Sequence, residues 1–221
     1  MLEFINKILD YFFYRKCYFC GKQAEKSLMC EVCREKMLKS GRKSSKIVAG
    51  VRIDAYFTYK DEMQKLIRGL KYHNKKELAA DIAKILYEIA GAKAFPTENA
   101  EIVPVPLHTK RQAKRKYNHM ELIANELSAL SGCKVNTELI KRVKYTAPQY
   151  NLSSKERREN LKGVFEVFPE ACNGKQLILL DDISTTGATL EEMVLELQKH
   201  NINNIRGLVI AFTEKGRNIT C

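Results

Sequence analysis

No run of the sequence approaches the ~18 uncharged apolar residues that a membrane helix needs, so no transmembrane segment is expected in these 221 residues. The first fourteen residues carry Glu3, Asp10 and a single base, Lys7, and no small-residue cleavage site. They are not expected to act as a secretory signal, and the chain is placed in the cytoplasm. Internal repeats and low-complexity tails are absent, which leaves no reason to expect a solenoid or a disordered array. Acids are scarce. There are 26 against 38 Lys and Arg, giving a formal charge of +12 and a pI near 9.3. That balance is high for a protein of small molecules alone and points to a polyanionic partner. Hydrophobic residues make up 45%, enough at this length for one full core and a small appendage.

The bases are clustered. Residues 110–116 hold Lys110, Arg111, Lys114, Arg115 and Lys116 with no acid. Residues 141–162 hold seven bases, Lys141, Arg142 and Lys144 among them, against Glu156 and Glu159. Residues 164–221 reverse the sign, with five bases and eight acids. Aromatics stand beside bases in Tyr14-Arg15-Lys16, Lys71-Tyr72, Lys116-Tyr117 and Lys144-Tyr145. Stacking rings among backbone cations suit single-stranded nucleic acid, although the same rings are equally at home in a core.

Cysteine is concentrated at one end. Cys17-x2-Cys20 and Cys30-x2-Cys33 are two thiol pairs separated by nine residues. Two such turns supply the four tetrahedral ligands of a structural Zn²⁺. Two disulfides are the alternative, but they require an oxidising compartment. Cys133, Cys172 and Cys221 are isolated and are read as inert.

The densest chemical signal is Asp181-Asp182-Ile183-Ser184-Thr185-Thr186-Gly187-Ala188-Thr189. It follows an apolar run, 177–180, that reads as a buried strand. It precedes Leu190, Met193, Val194 and Leu197, the spacing of a helix face. Two carboxylates then lie at the carboxyl end of a strand, where open α/β sheets place their ligands. The hydroxyl-rich turn into a helix N-terminus makes a phosphate nest, with Gly187 allowing close approach. Sugar hydroxyls for the acids and a phosphate for the nest together describe a sugar phosphate. The stretch resembles the phosphoribosyl-diphosphate (PRPP) signature of type I phosphoribosyltransferases.

Elsewhere strands and helices alternate. Residues 51–59, 101–105 and 204–212 read as strands. Helical faces are formed by Met63 to Leu70, by Leu78, Ile82, Ile85, Leu86 and Ile89, and by Met120, Ile123, Ala124 and Leu127. The expected fold is α/β, a mostly parallel sheet with helices on both faces, plus a small N-terminal zinc knuckle of four cysteines. The Ser/Lys-rich residues 39–46 read as the one linker, dividing an N-terminal helix and zinc module, 1–46, from the main domain, 47–221.

Three further segments carry a second resemblance. They are Val103-Pro-Val-Pro-Leu107 with Arg111, Arg115 and Tyr117-Asn118; Arg142, Thr146, Gln149, Leu152-Ser153, Arg157, Asn160 and Phe165; and Phe57-x-Tyr59 with Lys71-Tyr72. Together with the knuckle they identify the chain as resembling the ComF family of competence proteins over nearly its whole length. The family has Gly before the aromatic and Gln after the Asn, whereas here Lys116 and His119 stand.

The resemblance implies PRPP bound at Asp181, Asp182, Ser184, Thr185, Thr186, Gly187, Ala188 and Thr189. It assigns Val105, Pro106 and Leu107 to a pyrophosphate loop, with Arg111 and Arg115 near the diphosphate. Arg157 and Asn160 fall in a segment that closes over the ligand. Mg²⁺ would bridge phosphate oxygens and meet the acids only through water. Lys110, Lys114, Lys116, Lys141, Arg142 and Lys144 are read as the face for single-stranded DNA. A competence DNA-import helicase is an implied partner, and the import machinery an implied peripheral location. No nucleobase pocket is recognisable, and His73, His108, His119 and His200 are isolated, each read as a packed or surface residue, with His108 and His119 nearest the site. Two functions stay open: a PRPP-binding protein that handles incoming single-stranded DNA, and a working phosphoribosyltransferase with a nucleobase-type acceptor.

Overall fold

A computed structural model describes residues 15–24, 27–96, 99–146 and 153–213. The expected N-terminal helix, Tyr14, Gln149, Leu152 and Cys221 lie outside these residues. Six strands form the central sheet: β3 (Ser44–Val48), β4 (Val51–Thr58), β5 (Ala100–Pro104), β6 (Lys134–Val135), β9 (Gln176–Ser184) and β10 (Ile205–Phe212). Their order across it is β3-β4-β10-β9-β5-β6. All neighbours pair in parallel except the edge pair β3 and β4. The mostly parallel sheet read from the sequence is what is found.

Strand side chains alternate between faces, and β9 shows how this builds two cores. Ile178 and Leu180 join the cluster under α2 (Asp61–Tyr72), α3 (Leu78–Ala90) and α5 (His119–Ser131). Leu177 and Leu179 join the cluster under α7 (Ala188–Lys199), with Leu190, Met193, Val194 and Leu197. Near-continuous apolar strands are what burial on both faces requires.

β9 connects through α7 to β10 on one side, and β5 connects through α5 to β6 on the other. Right-handed crossovers running in opposite directions put their helices on opposite faces. The strand order therefore switches between β9 and β5, and a crevice opens beyond their carboxyl ends. A short antiparallel pair, β7 (Ile140–Arg142) and β8 (Phe165–Val167), flanks it.

Three sequence readings change. β9 does not stop at Leu180 but runs through the acid pair to Ser184, because Asp181, Ile183 and Ser184 continue the ladder opposite Val209, Ala211 and Phe212. The stretch read as a linker carries β3, whose alternating half-buried and exposed residues suit a sheet edge. The basic segment before β8, where no regular element was expected, contains α6 (Ser154–Leu161). A capping box, with the Ser153 hydroxyl and the Glu156 carboxylate each accepting from the other's backbone N–H, starts that helix.

Near the N-terminus, β1 (Arg15–Lys16) and β2 (Gln23–Ala24) pair, and α1 (Glu31–Lys39) follows. This module docks on α3. The Leu28 N–H donates to the buried Asp81 carboxylate at 3.2 Å, and Met29 and Met37 enter the same core as Ile82 and Ile85. No helix among the described residues is long and apolar enough to cross a membrane.

Candidate functional site

The crevice is built from the loops after β5 and β9. After β9, Thr185 and Thr186 turn the chain into α7, and Gly187 takes φ +89° as its N-cap. A Cβ there would stand 2.8 Å from the Lys46 ammonium, which a flexible side chain can withdraw, so it is the conformation that calls for glycine. The Thr186 hydroxyl accepts from the Ala188 N–H at 3.3 Å. Ser184 and Ala188 are buried, while Thr185, Thr186 and Thr189 are half-buried and open to the crevice. Two cations reach into this turn from elsewhere. Lys46 of β3 donates to the Ser184 hydroxyl at 2.7 Å, and Arg157 of α6 donates to the Thr185 hydroxyl at 2.6 Å. Lys46 is half-buried, and that burial lowers its pKa.

After β5, the Val105 N–H donates to the Leu180 carbonyl at 2.9 Å, tying residues 105–107 to β9. Asn118 fixes the same loop from the other side. Its amide donates to the Val105 carbonyl at 3.1 Å while its oxygen caps α5 on the Met120 N–H at 2.9 Å. Tyr117 donates to the Leu70 carbonyl. Tyr117-Asn118 is therefore scaffold for the loop. Lys116 ends α4 (Thr109–Arg115) at φ +66°, a conformation that suits the glycine of the family pattern.

Adjacent positions on a strand point to opposite faces, so the two acids have separate surroundings. Asp182 faces the α2 and α5 side. Its Oδ2 contacts the Lys71 ammonium and lies 2.6 Å from His119 Nε2. Arg115 approaches the other ring nitrogen, Nδ1, at 3.5 Å. A guanidinium can only donate, so Nδ1 accepts and the proton sits on Nε2, donated to Asp182. Burial lowers the His119 pKa despite Asp182, which keeps the ring neutral as this arrangement needs. Burial alone would raise Asp182, but Lys71 and His119 outweigh it and hold its carboxyl well below the usual range.

Asp181 faces the α7 and β7 side. Desolvation, then the like charge of Asp182, raises its pKa, against the pull of Lys71 and Arg142. Arg142 is buried and donates to the Thr146 hydroxyl at 2.6 Å, whose carbonyl accepts from Arg111 at 2.9 Å. The Arg142 Nε is buried with no hydrogen-bond partner. Burial and the neighbouring Arg111 bring the Arg142 pKa down to about 10.

Of the residues singled out in the sequence, the crevice brings together Asp181, Asp182, Ser184–Thr189, Val105–Leu107, Arg111, Arg115, Arg142 and Arg157. Asn160 is half-buried on α6. Lys110, Lys114, Lys116, Lys141 and Lys144 are exposed, and Lys141 pairs with Glu138 at 2.8 Å. Arg142 is not part of that exposed set. Sequence reasoning missed three residues. Lys46 was hidden by the linker-like composition around it, and His119 was read as isolated. Lys71 entered as a base beside an aromatic and as part of a family segment, with no role at the site. The position of His119 directly after Asn118, where the family pattern changes, was the one available signal.

At the N-terminus, the four sulfurs of Cys17, Cys20, Cys30 and Cys33 all lie within 4.8 Å of one another. Cys20 and Cys30 sulfurs are 3.6 Å apart, far from a ~2.05 Å disulfide and close to the ~3.8 Å edge of a tetrahedron with 2.3 Å zinc–sulfur bonds. All four are free. Burial opposes ionisation of Cys17, but the backbone N–H groups of Cys30, Cys20 and Phe19 bring it down to about 6. The cluster fits a metal ion such as Zn²⁺.

The chain is 34% identical over 158 residues to competence protein F of Haemophilus influenzae, covering 67% of each chain. It is 28% identical over 199 residues to the DNA utilization protein YhgH of Salmonella typhi, covering 86% of this chain and 87% of that one. Competence protein ComFC of Bacillus subtilis is 25% identical over 179 residues, with 79% and 68% covered. The chain belongs to the ComF family, a family with a competence-associated function. No family model matches the sequence. Among solved structures, a hypoxanthine phosphoribosyltransferase of Staphylococcus aureus aligns over 66% of this chain and 69% of that one at 14% identity and a TM-score of 0.36. An orotate phosphoribosyltransferase of Aeropyrum pernix aligns over 83% and 81% at 13% and 0.34. At those scores the likeness carries no weight about activity.

Proposed function

We propose that the crevice binds PRPP, and that the protein uses it while handling incoming single-stranded DNA in the cytoplasm at the import machinery. The observation that supports the ligand best is the convergence of Lys46 and Arg157 on the turn and of Arg142 on Asp181, with Arg111 beside Arg142 through Thr146, at the switch point of the sheet. The 5′-phosphate lies in the turn at the start of α7, where helix N–H groups lack partners and Lys46 and Arg157 add charge. The diphosphate lies toward residues 105–107 and the Arg111–Arg142 pair, since guanidinium forks suit phosphate oxygens. Asp181 accepts from the ribose hydroxyls. Asp182, already engaged by Lys71 and His119, positions the strand end and carries the negative charge that holds both side chains there. Asp181 is the acid that would be left to meet a Mg²⁺ ion bound with the diphosphate, which would supply neutralising charge for the phosphate oxygens. The zinc reading of the four-cysteine cluster belongs to the same proposal, as a staple for a module too small to fold on its own.

Exposed Lys110, Lys114, Lys116 and Lys144 suit the DNA backbone, and the name of the Salmonella typhi relative, a DNA utilization protein, supports a DNA ligand. The test is calorimetric titration of Mg²⁺–PRPP, and separately of oligo(dT), into one zinc-loaded preparation. Both are expected to bind, the oligonucleotide with a steep loss of affinity in salt. Turnover of PRPP with a nucleobase, releasing diphosphate, together with no affinity for DNA, would replace this reading by that of a working phosphoribosyltransferase.

A further inference from the structure

Among the described tyrosine and phenylalanine side chains only two are exposed. Tyr72, at the end of α2, is 65% exposed, and Tyr145, just after β7, is 54% exposed. They come from segments far apart in sequence, yet both are held by cations of one seven-residue helix, α4. The Arg115 guanidinium lies 5.2 Å from the Tyr72 ring centre. Lys110 and Arg111 lie 5.7 and 5.8 Å from that of Tyr145, and His108 meets Tyr145 edge-on at 5.5 Å.

None of the four bases of α4 has a carboxylate within salt-bridge distance among the described residues. Elsewhere on the surface this chain does pair its charges: Arg34 with Glu88, Lys36 with Glu62, Arg158 with Glu191. α4 thus presents unpaired cations bracketed by two rings, each fixed on one side by a cation and open to water over more than half its surface. The arrangement adjoins the crevice at both ends. Lys71 beside Tyr72 contacts Asp182, and Thr146 beside Tyr145 accepts from both Arg111 and Arg142.

We propose that Tyr72 and Tyr145 are the stacking platforms for bases of a single strand of DNA whose phosphates run along α4 over Lys110 and Lys114. This rests on the DNA-handling reading above and names the surface that performs it. The chemistry is specific to a single strand. A base has a π-face that a tyrosine can stack against only when it is unpaired, while the phosphates need cations that no protein acid already neutralises. An acidic protein partner would use the cations but would gain little from two separate rings. The aromatic and the ionic parts also make separable contributions. Removing a ring takes away stacking and leaves every cation in place, so it lowers affinity without changing how many counterions are released. Removing a cation changes that number.

The experiment measures fluorescence anisotropy of a labelled 20-nucleotide oligo(dT) with the full zinc-loaded chain over a range of salt. Tyr72→Ala/Tyr145→Ala is expected to bind at least tenfold more weakly than the native protein, stacking being worth roughly that per base, with the same salt slope. Tyr72→Phe/Tyr145→Phe, which keeps both π-faces, should stay within about twofold. Lys110→Gln/Lys114→Gln should lower the slope by ~0.7 for each phosphate left without its cation. Melting temperatures of the tyrosine variants should match the native protein, since both rings are exposed. If the alanine variant binds as well as the native protein, the platform is wrong and the DNA reading stands. If it loses affinity only together with a fall in the salt slope or in melting temperature, the rings act by holding structure, and the platform is also wrong. If the native protein itself does not bind at about 100 mM salt, both readings fall.

Discussion

Lys71→Met isolates what the buried acid of the crevice depends on. The side chains of Lys71 and Asp182 are 15% and 9% exposed, so the pair is shielded from the solvent screening that makes surface ion pairs weak. Removing one member of a buried pair leaves an uncompensated charge and costs roughly 3–5 kcal/mol. His119 still donates to Asp182, which places the expected loss at the lower end, about 3 kcal/mol. With a urea m-value of ~2–3 kcal/mol/M for a chain of this size, the midpoint should fall by about 1–1.5 M. The pH dependence supplies a second check. In the native protein the Asp182 pKa is depressed, because Lys71 and His119 outweigh burial. A depressed carboxyl contributes stability that is present above its unfolded value, ~3.9, and lost as pH falls through the folded one. Without Lys71, burial dominates and the carboxylate becomes a cost at neutral pH, a cost that protonation relieves. The gap between native and variant should therefore be widest at pH 7–8 and narrow toward pH 4. Lys71→Met/Asp182→Asn should recover most of the loss, since the amide oxygen still accepts from His119 and no unpaired charge is left. Urea unfolding followed by circular dichroism measures all three. A midpoint for Lys71→Met within about 0.3 M of native at pH 7.5, or a loss that does not change with pH, would refute the reasoning.

Arg142→Met should lower affinity for Mg²⁺–PRPP at least tenfold while leaving the ligand-free melting temperature unchanged or a few degrees higher, because it removes a buried cation set beside Arg111 with its Nε unpartnered; scanning fluorimetry and titration of one preparation check both, and a lower melting temperature with unchanged affinity would contradict this. Lys116→Gly should stabilise the protein by ~0.5–1 kcal/mol, the relief of a left-handed backbone at φ +66° on an exposed residue; a destabilised variant in urea unfolding would show that the lysine side chain matters more than its backbone. Elemental analysis should find about one zinc per native chain and none in Cys20→Ser/Cys30→Ser, since the four sulfurs form a single cluster; a metal-free native chain with its thiols intact would remove the zinc reading.

Much of the fold could be read from periodicity. The face of α7 at Leu190, Met193, Val194 and Leu197, and the apolar runs of β9 and β10, are buried as their spacing requires. Composition misled where polarity and regular structure coincide. β9 keeps its ladder through two charged residues because the crevice, not the core, receives their side chains. β3 is polar because it is an edge, and α6 is mostly charged because little of it faces inward. The turn after β9 was legible because its residues are consecutive in the sequence. The pairings that shape the acid pair were not, because they join distant positions. Asp182 meets residues 111 and 63 positions earlier, Lys71 and His119, and Ser184 meets Lys46 across 138. Nothing local marks such contacts. Only the fold brings them together.

The structure also decides which acid to mutate in testing the ligand. Asp182→Ala would strand Lys71 and could abolish binding merely by loosening the fold, whereas Asp181 has no side-chain ion pair within 4 Å among the described residues. The most direct measurement is therefore the thermal shift given by Mg²⁺–PRPP at pH 8, where Asp181 is favoured as the anion, in the native protein and in Asp181→Ala. Ligand at a hundred times its Kd should stabilise the native protein by ~2.7 kcal/mol, and Asp181→Ala, with its ligand-free melting temperature near native, should lose most of that shift. No shift in the native protein at millimolar PRPP, or the same shift in both, would contradict a sugar-phosphate site at the end of β9.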